Sequence, residues 1–408
     1  PGMLHHLSRR LEEGPRVAAE LANNAYDTPM PAPLHQLLRT RLGILGAAAL
    51  ITLLAVGLLA ISRLGSPAAE PAPTLHPAQI QPPPPVLGFA INVHHISDLS
   101  RYLGAIDEIA ELGANALLVV TPMYQQRIDS TQIQLLPDKC PTDDQLIALL
   151  THARSRGLYT SLLPIVLIEF PQEKDWRGVI QPGDWDAWWE SYDRFIDRFL
   201  GIAVAAEVDL LSVGSELNST EGDLEQWRRI VDGCRRRFDG KLTYSANWDR
   251  YEQVTFWPLV DVISVSAYFE LAKDDPNASV KKLAKAWGRQ RDKLLQFAGR
   301  YDRPCLLMEL GYPSLPWAAA HPWNYVAGVG VTADHDAQAR CYRGFFQAWS
   351  DVLAQPDSGA LGLYCYLWDP YGQGQATDTG YGVRGKPALR IITSGFRRIY
   401  QSVTENSE

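Results

Sequence analysis

Residues 208–217 read VDLLSVGSEL, a short apolar run that ends in a serine and a glutamate. The length and apolar character of this run are typical of a strand that is buried on both faces of a parallel sheet. Seven further runs of this kind lie before and after it. The eight predicted strands are residues 86–93, 114–122, 157–166, 208–215, 241–247, 261–268, 303–310 and 360–368.

Amphipathic helical patterns separate most of these strands, which is the alternation expected of an α/β protein. Eight such units between residues 87 and 402 favour a closed (β/α)8 TIM barrel over an open doubly wound sheet. The open sheet would bind a dinucleotide through a G-x-G-x-x-G turn after its first strand, and no such turn follows residues 86–93. We therefore predict one barrel domain at residues 87–402 and a short tail at residues 403–408.

The segment before the barrel predicts a membrane anchor. Residues 42–62, LGILGAAALITLLAVGLLAIS, carry no charge and are long enough for a transmembrane helix. A cleaved signal peptide and a buried core helix are the alternatives. Arginines are more frequent before this segment than after it, so the positive-inside rule predicts that residues 1–41 are cytoplasmic and that the barrel is extracytoplasmic. The proline-rich residues 63–86 predict an extended linker.

Composition excludes several classes of function. The chain of 408 residues has 38 basic and 46 acidic residues, a net charge of −8, and no basic cluster, which argues against a nucleic-acid partner. Its five cysteines include no C-x-x-C pair, so we expect buried thiols rather than a disulfide scaffold or a zinc site. Neither a Walker loop nor a G-x-S-x-G turn occurs. The prediction is an enzyme without metal or cofactor.

Two glutamates carry the functional prediction. In a TIM barrel the chemistry lies at the carboxyl ends of the strands, and Glu216 ends the fourth apolar run while Glu309 ends the seventh. The alternative for either residue is a helix cap or a pair with an arginine. Two carboxyl groups that face each other across a barrel mouth are typical of glycoside cleavage. We expect Glu216 to be the acid/base, with a pKa raised by partial burial, and Glu309 to be the ionised nucleophile.

Several short strings of the sequence resemble one known family. They are GSEL at residues 214–217, TYSANWD at 243–249, FW followed by Asp at 256–261, SAYFEL at 266–271, MELGYPS at 308–314 and YLWD at 366–369. Together these strings resemble glycoside hydrolase family 113, a clan A family of TIM-barrel enzymes with endo-β-mannanase activity. The resemblance covers residues 87–395.

The resemblance implies a retaining β-glycosidase with Glu216 as acid/base and Glu309 as nucleophile. It further implies that Tyr268 lies beside the nucleophile and that Trp368 forms the floor of the −1 sugar site. Ser215 occupies the position before the acid/base, where many clan A enzymes have an asparagine that binds the substrate. The family commonly has Lys-Pro-His at the end of the third strand, where this chain has Leu-Pro-Ile at residues 163–165.

Other residues at predicted strand ends suit carbohydrate binding. Trp248 offers an apolar ring for the C–H face of a sugar, and the neighbouring Asn247 offers hydroxyl partners. Asp378 and Tyr381 follow the eighth strand and are further candidate sugar contacts. The predicted partners are thus a polysaccharide or oligosaccharide substrate and a membrane. A catalytically silent barrel that binds carbohydrate with the same aromatic residues is the alternative function.

Overall fold

Eight parallel strands form a closed barrel in the computed structural model, which describes residues 85–273 and 275–407. The barrel closes because β1 pairs with β2 on one side and with β9 on the other. The two-residue strand β3 adds to β2 in the antiparallel direction. The strands are β1 Val86–Asn92, β2 Ala116–Gln125, β3 Ile133–Gln134, β4 Tyr159–Ile168, β5 Leu210–Ser215, β6 Lys241–Asn247, β7 Val262–Ser266, β8 Cys305–Gly311 and β9 Ala360–Tyr366. The predicted (β/α)8 barrel is confirmed.

Within the described residues, six of the seven connections between the parallel strands contain an α-helix, and a seventh helix follows the last strand. Two 3-10 turns, Tyr251–Gln253 and Trp257–Leu259, replace the helix between β6 and β7. Aspartate, threonine or serine caps the first turn of six helices by accepting a backbone hydrogen bond. The helices are α1 Leu99–Glu111, α2 Asp143–Ser155, α3 Trp185–Ala205, α4 Leu224–Arg235, α5 Val280–Gly299, α6 His335–Leu353 and α7 Pro387–Ser407. Residues 403–407 of the predicted tail continue α7.

Two apolar layers hold the strands in place. Inside the barrel, aliphatic side chains such as Leu118 and Met308 are fully or almost fully buried. Outside it, the tryptophans of the helices fill the space between helices and strands: Trp188, Trp189, Trp227, Trp287 and Trp349. At the closure of the barrel, a Cβ on Gly362 would lie 1.9 Å from the carbonyl oxygen of Val86, so β9 can approach β1 only with glycine there.

The five cysteines are all buried and unpaired, as the sequence predicts: Cys140, Cys234, Cys305, Cys341 and Cys365. They contribute to packing as small apolar side chains.

The predicted membrane anchor at residues 42–62 lies outside the described residues, as do residues 1–41 and most of the predicted linker. From residue 85 onward, and with residue 274 set aside, none of the described helices has the length and hydropathy to cross a bilayer. The anchor therefore stays a prediction. We expect the full chain to remain with membranes after extraction at alkaline pH and a chain that starts at residue 75 to be released. Release of the full chain would contradict the prediction.

Candidate active site

Glu216 follows the last residue of β5 and lies at the carboxyl end of the barrel. A bulge interrupts the pairing of β5 with β6 just before it, and its backbone is left-handed, with φ of +52°. Two hydrogen bonds hold this strained backbone: Glu216 N–H donates to the Ser245 carbonyl at 2.8 Å, and Leu217 N–H donates to the Tyr244 hydroxyl at 2.7 Å. Bulges commonly re-aim a side chain next to an active site. Here the bulge directs the Glu216 carboxyl group into the barrel mouth.

The buried carboxyl group of Glu221 supports the same segment from behind. The hydroxyl of Tyr244 donates a hydrogen bond of 3.0 Å to Glu221 Oε1. Burial raises the pKa of Glu221 to about 7, and Glu221 is 1 % exposed. Glu221 is therefore a packing and hydrogen-bonding residue, which sets it apart from the carboxyl groups that line the barrel mouth.

Glu309 lies within β8, three strands further around the barrel. The pairing of β7 with β8 is also irregular at this point, and Ala267 N–H donates a 2.6 Å hydrogen bond to the Glu309 carbonyl. The hydroxyl of Tyr268 donates to Glu309 Oε2 at 2.7 Å. The tyrosine therefore lies where the sequence predicts it, and it fixes the position of this carboxyl group.

One cavity of about 950 Å³ at the carboxyl end of the barrel contains both glutamates. Asn247, Trp248, Tyr268 and Tyr381 also line it. The remaining lining residues, most of which the sequence analysis did not propose as site residues, are Asn92, His94, Val120, Ile165, Leu167, Trp176, Arg177, Asp249, Glu270, Trp323, Tyr325 and Tyr366. Aromatic rings and a few convergent polar groups are typical of a ligand site.

Electrostatic coupling links the two glutamates. Burial, followed by the negative charge of Glu216, raises the pKa of Glu309 to about 7, while Arg177 and the hydrogen bond from Tyr268 act in the opposite direction. Glu309 therefore binds a proton more readily than an ordinary glutamate, because burial and the neighbouring carboxylate both disfavour its charged form. The sequence analysis expected a raised pKa for Glu216 and an ionised Glu309, whereas it is the pKa of Glu309 that burial raises in the structure.

Arg177 is the main site residue that the sequence did not predict. It begins a 3-10 turn, Arg177–Val179, in the loop after β4. Its Nη2 donates to Glu216 Oε2 at 2.5 Å, and the two side chains are 17 % and 10 % exposed. The loop that carries it has no recognisable motif. Only its proximity to Glu216 in the folded chain identifies it.

Three predicted site residues lie away from the cavity lining. Ser215 is 1 % exposed. Trp368 is 2 % exposed and packs edge-on against Phe89, with ring centroids 5.4 Å apart. Tyr366, two residues earlier, lines the cavity instead. Asp378 accepts a hydrogen bond from Gly380 N–H and pairs with the buried Lys386 at 3.1 Å, so it anchors the loop after β9.

Tyr381 brings that loop into the site. Its ring lies 5.8 Å from the ring of Tyr268 and 5.4 Å from the ring of Tyr366, and its hydroxyl donates to the Pro322 carbonyl at 2.6 Å. Three tyrosines thus surround the Glu309 side of the cavity. In the part of the chain that the structure describes, no group of three or more His, Cys, Asp or Glu residues is arranged to hold a metal ion.

The replacement Tyr268→Phe tests the contact with Glu309. Loss of a hydrogen bond to a charged group removes about 1.5–3 kcal/mol, which corresponds to about 10- to 100-fold in turnover. That hydrogen bond lowers the pKa of Glu309, so its loss should also move the acidic limb of the pH–rate profile to higher pH. Steady-state kinetics across pH measure both effects. An unchanged profile would show that the tyrosine serves only to pack the site.

The chain is similar in sequence and fold to known glycoside hydrolases. A sequence model of glycoside hydrolase family 113 matches residues 102–386. A β-1,4-mannanase of this family has 25% identity and a TM-score of 0.67, and the match covers 76% of this chain and 98% of that one. The β-mannanase of Alicyclobacillus acidocaldarius in complex with ManMIm has 25% identity and a TM-score of 0.66, and the match covers 77% and 98%.

A family 5 mannosidase from Rhizomucor miehei, at 11% identity, shares the fold, with a TM-score of 0.51 over 81% of this chain and 96% of its own. A search of curated proteins gave no match. The family match covers more than half of the chain and includes both strand-end glutamates. The chain belongs to glycoside hydrolase family 113.

Proposed function

We propose that this protein is a retaining glycoside hydrolase that cleaves β-linked, mannose-containing polysaccharides or oligosaccharides. The observation that carries the proposal is the placement of Glu216 and Glu309 in one cavity at the carboxyl ends of β5 and β8. The hydrogen bond from Tyr268 to Glu309 and the electrostatic coupling of the two carboxyl groups support it.

The reaction proceeds by double displacement. The Glu309 carboxylate attacks the anomeric carbon, and the glycosidic C–O bond breaks as Glu216 gives its proton to the leaving oxygen. Glu216, now ionised, takes a proton from water, whose oxygen attacks the same carbon and releases Glu309. Two inversions retain the configuration. This chemistry requires about 5–5.5 Å between the two carboxyl groups.

The walls of the cavity suit a chain of sugars. Trp248 and Trp323 offer rings for C–H faces, while Asn92 and Asn247 offer amide groups for hydroxyls. Mannose is proposed because the similar enzymes of the family are β-mannanases. The wall formed by Val120, Ile165 and Leu167 is aliphatic. A sugar hydroxyl directed at this wall would lose its hydrogen bonds, so discrimination among sugars is expected there.

Two measurements test the proposal. The first is hydrolysis of mannan, glucan, xylan and galactan oligosaccharides, with the anomeric form of the first product followed by NMR. The second is intact mass after incubation with 2-deoxy-2-fluoro glycosyl fluorides, followed by peptide mapping. We expect cleavage of the mannan oligosaccharides with retention and an adduct on Glu309. Inverted product would contradict the double displacement, and cleavage of another glycan alone would contradict the substrate.

The catalytically silent barrel is the second candidate, favoured by the aromatic residues that line the cavity. It predicts binding of oligosaccharides by calorimetry, no adduct with any fluorosugar and no cleavage of any glycan. Binding without turnover would therefore replace the hydrolase proposal.

A further inference from the structure

Arg177 is the cation closest to the catalytic pair among the described residues that line the cavity. The ring of Trp176 lies over Gly178, so that a Cβ on Gly178 would lie 2.3 Å from ring carbons. The ion pair with Glu216 holds the Arg177 side chain at the mouth of the barrel.

The guanidinium of Arg177 interacts with more than Glu216. Its charge acts on Glu309, whose pKa it lowers, and Glu216 and Glu309 in turn raise the pKa of Arg177 against the effect of burial. The other titratable groups that face the pair come from several loops and strand ends. They are Tyr268 after β7, Tyr366 on β9 and Tyr381 after it, and, on the remaining lining of the cavity, His94, Asp249, Glu270 and Tyr325.

We propose, on the basis of the hydrolase function above, that Arg177 is a positioning residue of the catalytic pair: it orients Glu216 and offsets the charge of the two carboxylates. The productive state has one proton on the pair, so two carboxyl groups and one guanidinium sum to zero charge. A site with no net charge matches a substrate sugar that carries no charge. Without the guanidinium, the same state would place an uncompensated negative charge in a buried cavity.

The sign of the pH effect follows from this charge. A nearby positive charge favours the ionised form of a carboxyl group and so lowers both apparent pKa values of the pair. Removal of that charge should raise both values. The whole bell-shaped pH–rate profile should then move to higher pH, whereas a residue that only supports the fold would lower the rate without moving the limbs.

The test compares Arg177→Met, Arg177→Lys and the matched control Arg229→Met. Arg229 forms an ion pair with Asp193 on the outer helices. We expect Arg177→Met to move both limbs of the kcat/KM profile to higher pH by about one to two units. Arg177→Lys keeps the positive charge but loses the planar guanidinium group. The limbs of its pH profile should therefore move less than those of Arg177→Met, while its kcat falls. Arg229→Met should match the unmodified enzyme.

A second readout does not depend on turnover. Titration of the protein carrying 13C-labelled glutamate carboxyls, with Glu216→Gln and Glu309→Gln used for assignment, reports the apparent pKa values of the pair directly. Higher values in Arg177→Met than in the unmodified enzyme support the inference. Unchanged values, together with unmoved limbs, would overturn it. Failure of the unmodified enzyme to cleave any glycan would contradict the proposed function but leave the titration interpretable.

Discussion

Glu309→Gln should lower kcat on β-linked oligosaccharides by on the order of 10⁴-fold or more. The amide has nearly the shape of the carboxyl group and keeps an oxygen for the Tyr268 hydroxyl, so the loss reports on nucleophilicity rather than on packing. The variant should bind oligosaccharide with almost unchanged affinity and should form no adduct with a fluorosugar. Steady-state kinetics, calorimetry and intact mass measure the three quantities.

Two controls make this expectation specific. Glu225→Gln replaces an exposed carboxyl group in the first turn of α4 and should leave kcat unchanged. Thermal unfolding of Glu309→Gln should show a Tm no lower than that of the unmodified enzyme, because a buried carboxylate has been replaced by a neutral group. If Glu309→Gln kept more than about a tenth of the activity, the nucleophile would have to be another residue.

Glu216→Ala should lower kcat/KM on oligosaccharides by about 10²- to 10⁴-fold, the usual contribution of a general acid. The effect should depend on the leaving group. A 2,4-dinitrophenyl glycoside needs no proton to leave, so the first displacement should proceed and the covalent intermediate on Glu309 should accumulate. A pre-steady-state burst of dinitrophenol measures this accumulation.

Azide provides the complementary test of the same variant. It is a nucleophile that needs no base, and it should enter the space left by the Glu216 side chain, release the intermediate and give a glycosyl azide of retained configuration. An equal loss for all leaving groups, without rescue by azide, would remove Glu216 from the acid/base role. Removal of Glu216 also leaves Arg177 without its partner, so Arg177→Met/Glu216→Ala is the informative double variant.

The barrel and the catalytic pair could be predicted from the sequence because both depend on local patterns. A parallel strand that is buried on both faces reads as an apolar run, and a carboxyl group at its end stands out against that run. The strand boundaries are correct to within three residues. The tyrosine next to Glu309 could be placed because it follows the neighbouring strand β7 by two residues.

Arg177, Tyr366 and the aliphatic wall could not be predicted because they depend on three-dimensional approach. Arg177 comes from an irregular loop whose path no periodicity describes. Tyr366 and Trp368 are two aromatic residues at the same strand end, and only the path of the chain after β9 decides which ring lines the cavity. Asp378 resembles a sugar ligand in sequence, yet its partner Lys386 shows it to be a loop anchor.

The left-handed backbone of Glu216 has a cost in stability at the position of a predicted catalytic residue. A residue with a Cβ pays about 1–2 kcal/mol for this conformation, whereas glycine adopts it freely. Glycine at residue 216 would relieve this strain, but it would leave the guanidinium of Arg177 buried without its partner. The same carboxyl group that is placed for chemistry thus also neutralises a buried cation, and this ion pair opposes the cost of the backbone strain.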